Sequence, residues 1–188
     1  MYTFDYLVFI GRFQPFHLAH MQTIEIALQQ SQNVILALGS AQSERNIKNP
    51  FLATEREQMI LSNFSAQDQK RIHFVHVVDV YNDEKWVKQV KDLVNAVIQP
   101  NAKVGLIGHF KDESSYYLRL FPEWQMVELD SLKDSISATP MREAYYRGEI
   151  QTEFFPEGTI QFLREFQKSA IYAELQKKYL TDDRSNIE

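Results

Sequence analysis

Short apolar runs alternate with longer amphipathic stretches along the chain, and this alternation limits the fold more than any other feature. The runs are too short for helices and continuously hydrophobic, as in strands buried on both faces of a parallel sheet. Strand–helix alternation predicts a Rossmann-like, doubly wound α/β fold with helices on both faces of the sheet and a helical C-terminus. The predicted strands are Tyr6–Ile10, Asn33–Leu38, Ile72–Val80, Val104–Ile107 and Gln125–Leu129.

Helical spacing and capping residues predict where the helices begin and end. Thr54, with Glu57 three residues later, is typical of a capping box. Thr139 followed by Pro140 predicts a helix start, and Gly148 predicts its end. We predict one domain over residues 1–180, with helices over 116–121, 159–166 and 170–179, and a polar tail or linker stub over 181–188.

Composition excludes several classes of protein. With 188 residues, 44% of them hydrophobic, the chain can bury a core without staples. The absence of cysteine excludes disulfides, thiolate metal sites and a cysteine nucleophile. A net charge of −5 argues against a nucleic-acid partner. No apolar run is long enough to span a membrane and no basic region precedes the first run, so we expect a cytoplasmic protein without a membrane partner.

The segment from Gly11 to His20 leads from the first predicted strand into the first predicted helix. Backbone N–H groups at a helix N-terminus point outward, and the dipole favours an anion there. His17 and His20 are three residues apart, which predicts that both imidazoles share one face of the first helical turn, near Arg12. Since no third ligand at a suitable spacing accompanies them, we expect phosphate binding and no metal held by protein side chains.

A second polar segment opens a predicted helix with Ser137, Thr139 and Arg142. A cation in the first turn is unfavourable beside the positive end of the helix dipole. A bound anion would explain the position of Arg142.

These segments resemble the two signatures of the nucleotidyltransferase superfamily of adenylyl- and cytidylyltransferases. Residues 11–20 resemble G-x-x-x-P-x-H-x-x-H, with Ala19 where a glycine usually precedes the second histidine, and residues 136–142 resemble I-S-x-T-x-x-R. G-S-A-Q at 39–42, N-P-F at 49–51 and E-R at 55–56 resemble the archaeal-type nicotinamide mononucleotide (NMN) adenylyltransferases. Residues 108–124 most resemble the bacterial bifunctional enzymes that join this domain to a Nudix hydrolase.

The resemblance implies transfer of AMP from ATP to NMN, with NAD and pyrophosphate as products. It implies Mg²⁺ as a cofactor that accompanies ATP, bound mainly by phosphates and water. Trp86 would stack on the nicotinamide ring, a cation–π contact. The implied catalytic residues are His17, His20, Lys48 and Arg142; the ATP-binding residues are Gly11, Arg12, Phe13, Gln14, Gly108, Lys111, Ser137 and Thr139; the NMN-binding residues are Gly39, Ser40, Asp79, Tyr81, Asn82 and Trp86.

Lys48 stands where the archaeal-type enzymes usually have arginine, so it keeps the charge but loses the bidentate geometry. Arg45 is a second candidate for the same role. We expect the two imidazoles, the Lys48 ammonium and the Arg142 guanidinium to surround one triphosphate.

Several alternatives stay open. A sister transferase would use another phosphorylated acceptor, such as nicotinate mononucleotide, phosphopantetheine, or a choline or glycerol phosphate. A non-catalytic nucleotide-binding module and a regulatory or oligomerising domain are the others, and a homo-oligomer is compatible with all of them. No Nudix box is present in the sequence, so fusion to a Nudix domain would belong to a longer natural chain.

Overall fold

The computed structural model describes residues 1–109, 113–130 and 137–185, and of 113, 114 and 183–185 it describes the backbone alone. The chain divides into two compact units. The described residues of the first, which we call the sheet unit, lie within Met1–Arg12, Ala19–Gln42 and Phe64–Ser135. Those of the second, the helical unit, lie within Phe13–Leu18, Ser43–Asn63 and Ile136–Glu188.

Five parallel strands form the sheet, in the order β3-β2-β1-β4-β5. This arrangement confirms the predicted parallel α/β fold. β1 pairs with β2 on one side and with β4 on the other. The strand order therefore reverses at β1: β2 and β3 extend to one side of it, and β4 and β5 extend to the other. In such sheets ligands bind beyond the carboxyl ends of the strands at this reversal. The strands are β1 Phe4–Gly11, β2 Ser31–Leu38, β3 Ile72–His76, β4 Val104–His109 and β5 Gln125–Leu129.

Seven α-helices lie in the described part of the chain, together with 3₁₀ helices over Glu113–Leu120 and Thr152–Phe154. The first 3₁₀ helix occupies a segment that helical spacing had marked at residues 116–121. None of the described helices is both long and apolar enough to cross a membrane. The α-helices are α1 Leu18–Gln30, α2 Ala53–Leu61, α3 Ala66–Gln69, α4 Asp83–Asn95, α5 Ala138–Tyr146, α6 Glu157–Phe166 and α7 Ala170–Ser185.

The core of the sheet unit forms where central strands pack against α4. Val8 of β1 is fully buried between its register partners, Ile35 of β2 and Leu106 of β4. Val90 and Val94 of α4 belong to the same buried cluster. Apolar residues at helical spacing on α4 thus cover apolar residues of the strands, which is why continuous apolar runs specify central strands.

The third strand is shorter than predicted, ending at His76 instead of Val80. Beyond it, the Gln89 side chain accepts from the Val78 N–H at 2.8 Å and donates to the Val78 carbonyl at 3.1 Å. A side-chain amide of α4 therefore takes the place of a neighbouring strand. Val77 is the last residue bonded to β2, through its N–H and the Leu38 carbonyl at 2.9 Å, and the chain leaves the sheet before Asp79.

Two predicted helix starts are wrong by two residues. The N-cap of α2 is Leu52, not Thr54, and its N–H donates to the Glu55 carboxylate at 2.9 Å. The N-cap of α5 is Ser137, not Thr139, and its hydroxyl accepts from the Thr139 N–H at 3.3 Å. In α2 the acidic half of a capping box is present without a hydroxyl at the cap.

The predicted end of α5 at Gly148 is confirmed. Gly148 adopts a left-handed φ of 93°, and its N–H donates to the Tyr145 carbonyl at 3.0 Å. The next N–H, of Glu149, reaches the Ala144 carbonyl at 2.9 Å. This pair of bonds is the Schellman motif that glycine favours. Further along, α7 continues through Ser185, so the predicted tail is helical from 181 to 185.

Candidate active site

Gln14 anchors the segment that follows β1 to the start of α2, inside the helical unit. Its side chain donates to the Phe51 carbonyl at 2.8 Å and accepts from the Phe51 N–H at 3.0 Å. Gln14 is buried, and the preceding residue, Phe13, is buried with a left-handed φ of 55°. Left-handed backbone is costly for a bulky side chain and persists only where surrounding contacts impose it. This first signature segment is therefore held in one shape.

Arg142 joins the two signature segments. From α5 its guanidinium donates through Nη1 to the Gln14 carbonyl at 2.9 Å, across 128 residues of sequence. It also donates through Nη2 to the Thr139 hydroxyl at 3.4 Å. Arg142 is buried at 8% exposure, whereas the Ser137 and Thr139 side chains lie exposed at the helix start. We call Gln14, Thr139 and Arg142 the guanidinium cluster. Its charged group, the Arg142 guanidinium, is a hydrogen-bond donor.

Lys48 lies on a tightly held turn, residues 46–49, which we call the Lys48 turn. The Asn46 Oδ1 accepts from the N–H of Lys48 at 3.0 Å and from that of Asn49 at 2.8 Å. The Ile47 carbonyl accepts from the Tyr146 hydroxyl of α5 at 2.7 Å. The exposed Lys48 side chain borders a cavity of about 840 Å³ lined by Asn46, Ile47, Lys48, Glu143, Arg147, Lys178, Tyr179 and Asp182.

Arg45, the second basic candidate of this loop, serves the start of α2. Its guanidinium forms a bidentate pair with Glu55, at 2.6 and 3.0 Å, and donates to the Pro50 carbonyl at 3.0 Å. The same carboxylate receives the N–H at the α2 cap. Since its donors are committed to these acceptors, Arg45 is a structural residue, and Lys48 is the cation that this loop presents to the cavity.

The two histidines do not share a helical turn as predicted. Because α1 begins at Leu18, His17 lies immediately before the helix, where it is buried at 2% exposure. His20 lies in the first turn of α1 and is half-buried, with its ring centroid 6.2 Å from that of Phe9. His17 belongs to the helical unit and His20 to the sheet unit. Their contact with phosphates stays a prediction.

Gly39 allows a close approach at the carboxyl ends of β1 and β2. Its N–H donates to the Gly11 carbonyl at 2.9 Å. A Cβ atom at Gly39 would lie 3.3 Å from the Cγ of Arg12, tighter than ordinary contact. The glycine therefore lets the Arg12 side chain pass over the end of β2.

Asp79 is the centre of a second polar cluster, in the sheet unit. One carboxylate oxygen accepts from the Ser40 hydroxyl at 3.0 Å, and the other accepts from the Gln42 side chain at 3.0 Å. The side-chain oxygen of Gln42 accepts from the Asp79 N–H at 2.9 Å. Ser40 adopts a left-handed φ of 49°. We call Ser40, Gln42 and Asp79 the carboxylate cluster. It unites two predicted NMN-binding residues and adds Gln42, which the sequence analysis had not selected as a site residue.

Asn82 and Trp86 have structural partners on α4. The Asn82 side chain caps the helix by accepting from the Lys85 N–H at 2.9 Å. Trp86 is half-buried and meets Tyr117 and Phe121 edge-on, each with ring centroids 5.8 Å apart. Tyr81, by contrast, is fully exposed. The Trp86 ring thus packs against the core, and its stacking on a pyridine ring stays a prediction.

At the end of β4, His109 is a residue that the sequence analysis had not assigned. Its Nε2 lies 3.2 Å from the Thr23 hydroxyl of α1, and its Nδ1 lies 3.2 Å from the Asp130 carbonyl. A Cβ atom at the neighbouring Gly108 would make ordinary contacts, the nearest at 3.4 Å from Leu118. The predicted ligand contacts of Lys111 and Asp112 lie outside the described residues.

The described part of the helical unit presents cationic side chains at two places, Arg142 and Lys48. Within residues 1–109, 113–130 and 137–185, no three His, Asp or Glu side chains are grouped as a metal centre would require. Arg142 beside Gln14 presents a guanidinium, and Lys48 presents an ammonium to a cavity that Glu143 and Asp182 also line. Such groups suit the oxygens of an anion, and a divalent cation would enter this environment with the phosphates.

Comparison with known proteins identifies the family of this chain. Residues 8–144 match the cytidylyltransferase-like family. The chain is 74% identical to a nicotinamide/nicotinic acid mononucleotide adenylyltransferase of Acinetobacter baylyi, over the whole of both chains. It is 29% identical to a nicotinamide-nucleotide adenylyltransferase of Thermococcus kodakarensis, over 85% of this chain and 82% of the other.

Among solved structures, the fold resembles a bifunctional NMN adenylyltransferase/ADP ribose pyrophosphatase from Francisella tularensis, in complex with AMP and a manganese ion. The TM-score is 0.86 at 34% identity, over 97% of this chain. The chain spans 55% of that longer protein. The family match and the 74% identity show that this chain belongs to the cytidylyltransferase-like family of nucleotidyltransferases, in the branch of the nicotinamide/nicotinic acid mononucleotide adenylyltransferases.

Proposed function

We propose that this nucleotidyltransferase transfers AMP from ATP to NMN, giving NAD and pyrophosphate. The observation that carries the proposal is the hydrogen bond from Arg142 to the Gln14 carbonyl. It joins, within the helical unit, the two segments whose residue types suit a triphosphate. The name of the Acinetobacter relative supports the adenylyl transfer.

The reaction needs no protein nucleophile. A phosphate oxygen of NMN attacks the α-phosphorus of ATP; the new P–O bond forms as the bond to the β-phosphate oxygen breaks, and that oxygen departs with pyrophosphate. Catalysis then consists of positioning and of stabilising charge on the phosphates. Lys48 and Arg142 would hold the departing pyrophosphate, and His17 and His20 would donate to phosphate oxygens. Magnesium enters as part of the ATP substrate complex and neutralises the triphosphate.

The carboxylate cluster supports NMN over its acid form as the preferred acceptor. Asp79 is an acceptor-only group, and the Ser40 and Gln42 contacts orient both of its oxygens. A neutral carboxamide can donate to such a carboxylate, and the positive pyridinium is attracted to it. The nicotinate carboxylate would be repelled. This preference rests on the prediction that Asp79 lines the acceptor pocket.

The direct test is incubation with ATP, magnesium and a panel of phosphorylated acceptors: NMN, nicotinate mononucleotide, phosphopantetheine and choline phosphate. Pyrophosphate and the adenylylated product are measured together. We expect both products in equal amounts, with the highest kcat/KM for NMN. A higher value for phosphopantetheine or choline phosphate would reject the acceptor class. Binding of ATP without release of pyrophosphate in any reaction would identify a non-catalytic module.

A further inference from the structure

Two adjacent tyrosines on α5 make the same hydrogen bond to different parts of the helical unit. Tyr145 donates from its hydroxyl to the Leu163 carbonyl of α6 at 2.7 Å. Tyr146 donates to the Ile47 carbonyl, also at 2.7 Å. Both residues are buried, at 4% and 1% exposure. The two hydroxyls are chemically equivalent, but only the second one contacts the Lys48 turn.

The position of Tyr146 couples this turn to the helix of Arg142. Residues four apart lie on one face of a helix, so Tyr146 shares its face of α5 with Arg142. The Asn46 side chain fixes the internal shape of the turn through two backbone N–H groups. The contact from Tyr146 to Ile47 then fixes that turn against α5.

The Tyr146 side chain is itself held in place. Its ring packs against that of Tyr179 with centroids 5.3 Å apart, and its backbone carbonyl accepts from the Gln176 side chain at 2.9 Å. Burial raises the pKa of Tyr146 above the ordinary value for tyrosine, so the hydroxyl stays protonated and remains a donor at neutral pH. The Ile47 carbonyl therefore meets a fixed donor.

We propose that Tyr146 is a positioning residue for adenylyl transfer: its hydroxyl places the Lys48 turn against α5 so that Lys48 and Arg142 hold the same triphosphate. The inference rests on the proposed roles of Lys48 and Arg142. In this role Tyr146 touches no substrate and acts only through Lys48. Misplacement of a charged group by a fraction of its contact distance weakens its electrostatic contribution steeply.

The test compares Tyr146→Phe with Tyr145→Phe, which removes an equal hydrogen bond from the adjacent position. Both variants are expected to lower the melting temperature by similar amounts. Only Tyr146→Phe is expected to raise KM for ATP, by about tenfold, with KM for NMN changed by less than about twofold. General destabilisation would not separate the two substrates. Equal KM values for ATP in the two variants would overturn the inference.

A double-substitution experiment shows whether Tyr146 acts through Lys48. In a Lys48→Ala background, Tyr146→Phe is expected to change KM for ATP by less than about twofold further. Independent, multiplicative effects would overturn the inference. If Lys48→Ala alone leaves KM for ATP and turnover unchanged, the proposed role of Lys48 fails, and the Tyr146 inference fails with it. Adenylyl transfer itself is judged separately, by product formation in the unsubstituted enzyme.

Asn46→Ala tests the same positioning from the exposed side of the turn, should Tyr146→Phe not fold. Asn46 is exposed, so its loss leaves the core intact. We expect a rise in KM for ATP of several-fold, about the size of the Tyr146→Phe effect or smaller. An unchanged KM for ATP would show that the placement of the turn does not matter.

Discussion

The guanidinium cluster and the carboxylate cluster are built on opposite principles. In the helical unit, Arg142 presents donors and is oriented by a carbonyl and a hydroxyl. In the sheet unit, Asp79 presents acceptors and is oriented by a hydroxyl and an amide. The groups that make these orienting contacts are neutral. One cluster suits phosphate oxygens, and the other suits a positive ring that carries an amide donor.

The difference assigns the two halves of the reaction to different residues. Hydrogen bonds to charged groups contribute about 1.5–3 kcal/mol each, more than those between neutral groups. On the proposed function, the donor cluster would recognise the phosphates of ATP, and the acceptor cluster would recognise the base of the second substrate. Substitutions in the helical unit should act mainly on ATP, and those around Asp79 mainly on NMN.

His20 provides the most severe test of this division, because it is a phosphate-binding candidate within the sheet unit. His20→Ala is expected to lower kcat by about 10²–10³, the usual cost of losing one donor to developing charge. Steady-state NAD formation measures the effect, and thermal melting confirms the fold. Turnover close to that of the unsubstituted enzyme would exclude His20 from the reaction.

Two arginines of the helical unit test whether the guanidinium cluster is functional. Arg142→Lys keeps the charge but loses the planar fork, and we expect kcat/KM for ATP to fall by about 10². Arg45→Lys is the matched control, because Arg45 is bound to Glu55. It should lower the melting temperature with little change in kcat/KM. Equal losses of activity in both variants would mean that Arg142 is structural.

Asp79→Asn should alter the choice of acceptor. The substitution removes the charge but keeps one oxygen acceptor for Ser40 or Gln42. We expect the ratio of kcat/KM for NMN to that for nicotinate mononucleotide to fall about tenfold, or ~1.4 kcal/mol. Parallel assays with the two acceptors give this ratio. A constant ratio would remove Asp79 from the acceptor pocket.

A substitution at Trp86 distinguishes a role in core packing from a role in stacking on the ligand. Trp86→Phe retains an aromatic ring beside Tyr117 and Phe121 but weakens a cation–π contact. KM for NMN should rise by a few-fold, which corresponds to a loss of ~1 kcal/mol in binding free energy. KM for ATP should stay nearly constant. Similar rises for both substrates would indicate that Trp86 serves the core alone.

The smallest expected effects are those of pH on stability. Burial lowers the pKa of His73, whose Nε2 lies 3.0 Å from the Asn33 Oδ1 in the sheet. The neutral imidazole is favoured in the folded state, so its stabilisation is present above the usual value of 6.5 and declines as pH falls through the lowered pKa. Melting temperatures measured across the acid range should fall less steeply in His73→Gln.

Buried tyrosines should respond at the alkaline side in both units, because burial also raises the pKa of Tyr117 in the sheet unit and that of Tyr146 in the helical unit. Burial raises the pKa of Tyr145 and that of Tyr172. Their stabilisation is complete below the usual value of 10.0 and is lost as pH rises through the raised pKa values. The alkaline loss of stability should be smaller in a Tyr145→Phe/Tyr172→Phe variant, and a loss of undiminished size would assign it to other groups, Tyr146 and Tyr117 among them.

Local patterns predicted most of the fold. Continuous apolar runs identified β1, β2 and β4 because these strands are buried along most of their length. Gly148 identified the end of α5 because glycine readily adopts the left-handed conformation found there. The errors arose where a distant side chain decided the local outcome. Gln89 ended β3 early, and the pair of Arg45 with Glu55 shifted the start of α2 away from Thr54.

The site was predictable in residue type but not in the contacts that hold it. The motifs selected Gln14, Lys48 and Arg142, yet gave no sign that Gln14 pairs with Phe51 or that Arg142 meets the Gln14 carbonyl. Tyr146 and Gln42 were missed for the same reason. A tyrosine on an apolar helical face looks like core until its hydroxyl partner is known. Gln42 stands in the G-S-A-Q motif, but the motif gives no sign of its contact with Asp79, 37 residues away.

The Arg142 to Gln14 contact also orders events during synthesis. The first signature leaves the ribosome early, but the guanidinium that reaches its backbone is translated 128 residues later. A nascent chain that has only completed its central strands has therefore not assembled its phosphate-binding surface. On the proposed function, the polypeptide would bind ATP productively only after α5 has emerged, so products truncated before α5 should consume no ATP.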